Sequence, residues 1–446
     1  MVENRSNSES LAVRDFFRSF LHHESVGGVI LMVCAVVALL CANLPNLKFV
    51  NEIWHTPIGI VIGSFSLQMS LAHWINDGLM AVFFFVVGLE IKREMMVGEL
   101  SSFKKASLPI FAAVGGMVAP AVIYALFNFS SPDSISGWGI PMATDIAFAL
   151  GVLSLLGKRV PLGLKVFLTA LAIVDDLGAI IVLAIFYPSH ALHFDMLLYA
   201  GLVAAVLLAF NRMKVNRPLM YVVPGIFLWY FVYESGIHAT ISGVILALTI
   251  PSKTVINEVK FSVSIKYWIE KFRHASNSEV EVLANTEQQH IIHQISRSTK
   301  DICPLMHKFE HSLHPWVTFM IMPVFALANA GVELTGDLFS TPVSAVIPGV
   351  FLGLLLGKPV GIFLFSLAAV KGGVAELPLG IKWKQVFALG IMAGIGFTMS
   401  IFIDGLAFAD LRLVNIGKAT ILGTSLVAAV VGCIAVYITS DKEKKQ

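Results

Sequence analysis

The segment from Val166 to Tyr187 reads VFLTALAIVDDLGAIIVLAIFY and is long and apolar enough to cross a bilayer as a helix. Two adjacent aspartates, Asp175 and Asp176, lie in its middle. A carboxylate near the centre of a bilayer costs about 2.5–3.5 kcal/mol on insertion scales. We therefore expect this pair to bind a cation, to carry protons, or to do both.

Apolar runs of this kind recur along almost the whole chain. Of its 446 residues, 57% are hydrophobic and 13% are charged, whereas soluble domains are about 25% charged. A membrane barrel would show short alternating segments instead. The sequence predicts an all-α polytopic membrane protein with about twelve transmembrane helices, near residues 26–43, 73–91, 107–129, 138–156, 163–187, 194–211, 218–234, 236–251, 315–331, 342–370, 384–403 and 413–438.

Lysine and arginine are concentrated in alternate connections between these runs. By the positive-inside rule, both termini are cytoplasmic, and the predicted location is the inner (plasma) membrane of a bacterium. The predicted organisation is a cytoplasmic N-terminal tail (1–25), helices 1–8 (26–251), a hydrophilic cytoplasmic insertion or disordered loop (252–313), helices 9–12 (314–438) and a cytoplasmic C-terminal tail (439–446).

The first outward connection, residues 56–71, alternates around Gly63–Ser64 as a short β-hairpin would, although an irregular apolar loop is the simpler alternative. An exposed hairpin edge can pair with a second copy, so these residues are the predicted homodimer interface. The other expected partner is the lipid bilayer. A net charge of +2 gives no electrostatic basis for binding nucleic acid.

Proline and glycine predict a break in each of two spans. Pro141 precedes Thr144 and Asp145, and the eleventh span contains Gly394 and Gly396 in GIMAGIGFTMS. Interrupted backbone at membrane depth is tolerated where it is buried in protein or lines a cavity. One interrupted span in each half of the chain therefore points to an ion site near the bilayer midplane.

Asp175 and Asp176 project about 100° apart on a helix, so one can line a water-filled cavity while the other faces a neighbouring helix. They are expected to titrate as a unit. Lys358, in LLLGKPVG, needs a negative partner, for which Asp175 is the candidate; its long stem could instead reach the interface. Thr144 and Asp145 offer hard oxygen ligands for sodium, or Asp145 compensates the positive ends of two half-helices.

Other charged residues lie near the predicted ends of spans. Asp77 is either functional or a cap where its span starts. Two groups flank cytoplasmic helix ends, and Pro315 suits the start of the second helix: Glu90, Arg93 and Glu94, then Glu310, His311 and His314. The histidines can titrate near neutral pH, although such groups are more often solvated interfaces.

Several stretches, in this order, resemble the bacterial NhaA family of sodium/proton antiporters. They cover nearly the whole chain except the N-terminal tail and most of 252–309, a segment that looks longer here than in the best-known members. The stretches are WINDGLMAVFFFVVGLEIKRE, GWGIPMATDIAFALG, LTALAIVDDLGAI, ESGIHATISGVI, EHSLHPW, GKPVGI and GIGFTMSIFI.

The resemblance implies twelve helices with inverted repeats, here about 107–187 and 342–438, and two broken helices that cross near the membrane centre. It implies that sodium binds at Asp176, Asp175 and Thr144, that Lys358 pairs with Asp175, and that Asp145 lies at the crossing. Asp77 and His238 are implied as accessory residues, and the family's pH-response region falls on Glu90, Arg93, Glu94, Glu310, His311 and His314.

The predicted function is electrogenic, pH-regulated export of sodium or lithium in exchange for external protons, by a transporter and not an enzyme, with no cofactor. The alternative is a sodium-coupled symporter of an organic solute. An intramembrane aspartyl protease would carry its two aspartates on separate helices, and a passive channel would need no counter-ion.

Overall fold

The structure, a computed structural model, describes residues 24–47, 49–63, 65–188, 190–254, 256–275, 285–333, 344–378 and 380–440. Most of the two predicted tails (1–23 and 441–446) and residues 276–284 of the predicted insertion lie outside the described residues.

The described residues are mostly helical. The helices of the first half are α1 (Glu24–Asn43), α2 (Phe49–His55), α3 (Leu71–Val97), α4 (Phe103–Asn128), α5 (Pro132–Ile135), α6 (Ile146–Leu155), α7 (Leu162–Phe186), α8 (Phe194–Arg212), α9 (Leu219–Glu234) and α10 (Thr240–Thr249). Those of the second half are α11 (Glu258–His274), α12 (Thr286–Ile302), α13 (Leu305–Trp316), α14 (Met322–Asn329), α15 (Val346–Lys371), α16 (Trp383–Ala393), α17 (Phe397–Ala407) and α18 (Leu411–Thr439).

Within the described part of the chain, seven helices are long and apolar enough to cross a membrane: α1, α3, α4, α7, α8, α15 and α18. Two bent pairs of helices raise the number of such spans to nine. Helices α9 and α10 are shorter but also apolar. The chain is thus a multi-pass membrane protein whose spans are helices, and the count of twelve stays a prediction.

The two predicted breaks are present. The segment Pro132–Met142, which is α5 followed by a 3₁₀ stretch, meets α6 at an angle of 48°, and α16 meets α17 at 50°. The breaks lie against each other, because the Asp145 amide donates to the Ile395 carbonyl at 2.8 Å and the Thr144 hydroxyl donates to the Ala393 carbonyl at 2.9 Å. The interrupted backbone is therefore paired across the contact.

Helix α15 packs closely along α4. Gly115 and Gly361 face each other there, and a Cβ on Gly361 would collide with the backbone of Gly115. Small residues at such a contact let two membrane helices approach. This contact holds the middle of α15, where Lys358 lies, against the core of the protein.

The predicted hairpin in residues 56–71 is also present. Strand β1 (Pro57–Ile62) pairs antiparallel with β2 (Phe65–Ser70), and Gly63 supplies the positive φ of 60° that the turn needs. The Trp74 indole donates to the Ile58 carbonyl at 2.8 Å and ties the hairpin to the start of α3.

The hydrophilic segment 252–313 contains two helices that pack together, α11 and α12. Each has an asparagine N-cap, since Asn257 accepts from the Lys260 amide and Asn285 from the Gln288 amide. Side-chain contacts join the two helices, including a Ser264–Ser298 hydrogen bond of 3.4 Å. The described part of this segment is helical.

Two predicted helix starts are wrong. Helix α13 begins after Pro304, so Pro315 lies within the helix, and the wide π-helical turn Val317–Ile321 that follows accommodates its missing amide hydrogen. Helix α3 begins at Leu71, where the Ser70 hydroxyl accepts from the His73 amide. Asp77 therefore does not cap the helix; it lies within a π-helical turn, Trp74–Leu79.

Candidate functional site

Lys358 and Asp175 form a buried ion pair. The lysine ammonium group (Nζ) lies 2.6 Å from an Asp175 carboxylate oxygen and donates to the Thr144 hydroxyl at 2.8 Å. Lys358 is 1% exposed and Asp175 is 2% exposed. Lys358 lies between a π-helical turn, Gly353–Gly357, and Pro359. As at Pro315, a π-helical turn lies next to a proline, which has no backbone amide hydrogen to donate. The structure thus gives Lys358 the partner that its sequence position predicts.

Asp145 caps the second half-helix, in chain order, of both broken spans. One carboxylate oxygen accepts from the Phe148 amide at 2.9 Å in the first turn of α6. The other accepts from the Thr398 amide at 3.1 Å and from the Thr398 hydroxyl at 2.5 Å, in the first turn of α17. The positive ends of two half-helix dipoles therefore meet at one carboxylate. This geometry is the compensating role that the sequence left open; ligation of sodium by Asp145 stays a prediction.

Asp176 faces away from the ion pair, as the helical rotation predicts. It lines a cavity of about 300 Å³ together with Asp145, Glu90, Arg93 and Glu310. The side chain is 1% exposed, and its Oδ1 atom has no hydrogen-bond partner among the described residues. A buried carboxylate oxygen of this kind is costly unless a cation or a proton satisfies it.

The same cavity reaches the cluster that the sequence assigns to pH response. Arg93 donates to Glu310 at 2.6 Å and to Glu94 at 3.2 Å. Glu310 and His314 are four residues apart on α13 and both line the cavity, whereas the exposed His311 side chain contacts His307. One cavity thus joins Asp176 to the ion pair between α3 and α13.

The structure does not bring Asp77 or His238 to this cavity, whose lining includes neither. Asp77 lies in the first turns of α3, where its carbonyl accepts from the Trp229 indole at 2.9 Å. His238 is buried just before α10 and hydrogen-bonds the backbone of Tyr187. Any influence of these two residues on the site is indirect in this conformation.

The structure adds three residues that the sequence analysis did not assign to the site. Thr398 gives two of the hydrogen bonds to Asp145. Asp404 is fully buried on α17, and Lys418 on α18 is its electrostatic partner. Asp404 interrupts the apolar run FTMSIFIDGLAF, the same signal that marked Asp175 and Asp176.

Comparisons with known proteins agree with this architecture. The family described as Na+/H+ antiporter 1 matches residues 18–436. The Na(+)/H(+) antiporter NhaA of Wolinella succinogenes is 45% identical, with 100% of this chain and 98% of the relative covered. The antiporter of the same name from Helicobacter acinonychis is 46% identical, with 98% and 97% covered. That of Oleidesulfovibrio alaskensis is 46% identical, with 92% and 91% covered. The chain belongs to the NhaA family of Na+/H+ antiporters.

Proposed function

We propose that this protein exports sodium or lithium ions from the bacterial cytoplasm in exchange for external protons, and that the exchange is electrogenic and regulated by pH. One observation carries the proposal. Asp175 is neutralised by Lys358, while the adjacent Asp176 opens onto a cavity that extends to the charged ends of α3 and α13. A carboxylate that faces the cavity, next to one that a lysine neutralises, provides a site at which a cation and protons can compete.

The cation enters through the cavity and binds at Asp176, with oxygens of Asp175 and Thr144 as further ligands. Binding to Asp175 draws this carboxylate away from Lys358, whose ammonium group also donates to Thr144. The two broken spans, joined at Asp145 and Thr398, then rearrange to open the site on the other side. Protons from outside displace the cation, and Lys358 pairs with Asp175 again when the site returns to the cytoplasmic side.

Electrogenicity follows if two protons exchange for one sodium ion, because one net charge then crosses in each cycle. A membrane potential contributes about 2.3 kcal/mol per 100 mV for that charge. In proteoliposomes, a potassium diffusion potential set with valinomycin should change the exchange rate. Exchange that is indifferent to the potential would exclude this stoichiometry.

Regulation by pH is assigned to the cluster of Glu90, Arg93, Glu94, Glu310, His311 and His314. Its support is that Arg93 bridges two helices through Glu310, beside the cavity. We expect Glu310→Gln to move the pH of half-maximal exchange. The matched control is Glu376→Gln, which removes the same charge from an exposed ion pair with Lys104. Equal pH profiles for the two variants would remove the cluster from the mechanism.

Dequenching of acridine orange in everted membrane vesicles tests the core of the proposal. Sodium or lithium, but not an organic solute, should release protons from the vesicle lumen. Asp176→Asn should abolish this signal, whereas Asp195→Asn, the same change at an exposed aspartate, should leave it intact. Sodium-driven solute uptake without proton movement would favour the symporter instead.

A further inference from the structure

A second buried carboxyl group lies away from the cavity. Asp404 on α17 is 0% exposed, and neither of its carboxylate oxygens has a hydrogen-bond partner among the described residues. Lys418 on α18 is the basic group that interacts with it electrostatically. A buried carboxylate with two unsatisfied oxygens is expensive to keep. Asp175 has an ion pair with Lys358 at the cation site, whereas the Asp404 oxygens have no such contact among the described residues, so Asp404 needs another explanation.

The backbone around Asp404 is shaped to admit the carboxylate. Gly417, one residue before Lys418, lies against it, and a Cβ at Gly417 would collide with the Asp404 carboxylate. Tyr124 on α4 is also fully buried and interacts electrostatically with Asp404, while its hydroxyl donates to the Ser134 carbonyl at 2.7 Å. Two further elements that pack on α17, the stretch Ser136–Met142 and α14, contain no charged residue. Helix α3 contacts α17 through Phe84 and Phe402, and its charged residues nearest in sequence to Phe84 are Glu90 and Asp77.

Asp404 lies on the side of the helix crossing opposite to the cavity. Arg159 beyond α6 stacks on Tyr437 near the end of α18 at 4.2 Å, so the C-terminal ends of α6 and α18 share one side. The cavity lies toward that side as well. Glu94, which is ion-paired with Arg93 of the cavity, lines a neighbouring pocket together with Ser154 near the C-terminal end of α6. Helix α17 leads from the crossing in the other direction, toward the start of α18.

Two hydroxyl side chains lie on α17 between Asp404 and the crossing. Ser400 is one helical turn from Asp404, about 6 Å along the axis, and its hydroxyl donates to the Ile140 carbonyl at 2.8 Å. Thr398 follows and donates to Asp145. The half-helix therefore carries hydroxyl groups between Asp404 and the carboxylate that caps both broken spans.

We propose that Asp404 is a proton-binding carboxyl group on the outward limb of the exchange path. Its carboxylate accepts a proton from the external solution and forms an O–H bond. It becomes a carboxylate again when the proton moves toward the Asp175–Asp176 pair, which gains the proton. Lys418 balances the charge of the ionised form. Sodium binds poorly here, because the positive charge of Lys418 repels a cation.

This inference rests on the proposed exchange function, since an external proton path is needed only in an exchanger. The test compares Asp404→Asn with Asp410→Asn, which changes the exposed cap of α18. In right-side-out membrane vesicles, Asp404→Asn should require about tenfold more external protons for half-maximal sodium exchange. The sodium dependence on the inner side and the behaviour of Asp410→Asn should match the parent protein.

A second readout does not depend on transport. Infrared difference spectra of the purified protein between acidic and alkaline buffer should show a carboxylic-acid band that Asp404→Asn loses, Asp404→Glu displaces and Asp176→Asn retains. If Asp404→Asn does not assemble or does not transport, the spectrum is recorded on the double variant Asp404→Asn/Lys418→Met, which removes both charges. The double variant should also lack the band.

An unchanged band together with parental dependence on external protons would overturn the inference and leave Asp404 with a purely structural role. Loss of exchange in Asp176→Asn is independent of this result. If Asp176→Asn still exchanges sodium for protons, the proposed cation site is wrong, whatever the result for the Asp404 variants. The two failures are therefore distinguishable.

Discussion

Lys358 and Asp175 are 183 positions apart in the sequence, yet their charged atoms lie 2.6 Å apart in the interior of the protein. The lysine also donates to Thr144, at the break of the first broken span. One ammonium group thus joins α15, α7 and the helix crossing. The charge of Lys358 is neutralised at the place where a cation is proposed to bind, so the stability of the protein and the exchange should both depend on this lysine.

Removing the lysine alone should destabilise the protein strongly. Lys358→Met leaves the Asp175 carboxylate buried without a cation, and breaking a buried pair in this way costs about 3–5 kcal/mol. The double variant Lys358→Met/Asp175→Asn should recover most of that loss, because no uncompensated charge remains. Thermal unfolding of the purified protein, followed by size-exclusion chromatography, measures both variants. A double variant no more stable than Lys358→Met would mean that the pair is not the source of the loss.

Asp145 should matter more for stability than an ordinary helix cap. Its carboxylate caps α6 and α17 together, whereas Asp410 caps α18 alone by accepting from the Arg412 amide at 2.9 Å. Loss of one N-cap costs about 1 kcal/mol, so Asp145→Ala should cost about 2 kcal/mol and Asp410→Ala about half as much. Asp145→Asn should lie between them. Equal unfolding temperatures for the two alanine variants would contradict a double cap.

The close approach of α4 and α15 predicts a sensitive glycine. A methyl group at Gly361 would collide with the Gly115 backbone, whereas nothing lies within 4 Å of the Cβ position at Gly423. Gly361→Ala should therefore cost about 1–3 kcal/mol and slow exchange by displacing Lys358, three residues earlier. Gly423→Ala on α18 should leave both unfolding temperature and exchange near the parental values.

Much of this site is readable from single residues. A lone lysine in an apolar run requires a buried acid, and the rotation between Asp175 and Asp176 separates a paired carboxylate from an open one. Glycine and proline locate both breaks. The hydrogen bonds between Thr398 and Asp145 could not be read this way, because they depend on how two distant spans cross.

The errors of the sequence analysis have equally local causes. Pro315 looked like a helix start, because a proline inside a helix normally breaks it, but a π-helical turn absorbs the missing donor. Asp404 was passed over because it falls just beyond the predicted end of its span at residue 403. Helix α17 continues to Ala407, which makes Asp404 a buried residue.

The hairpin formed by β1 and β2 is the proposed dimer interface, and its exposed apolar side chains make the proposal testable. Ile58 is 49% exposed and Val61 is 57% exposed within one chain, and the free edge of a two-stranded sheet can pair with a second copy. Replacing residues 57–70 by a glycine–serine linker should give a monomer in detergent, measured by light scattering after size-exclusion chromatography. The substitutions Ile58→Lys and Val61→Lys should weaken the dimer without removing the hairpin. Val259→Lys, at an exposed apolar residue of α11, is the matched control and should leave the mass unchanged.

A linker variant that remains dimeric would place the interface elsewhere. A monomer that still exchanges sodium for protons would show that each chain holds a complete site, as expected if Asp175, Asp176 and Lys358 of one chain suffice.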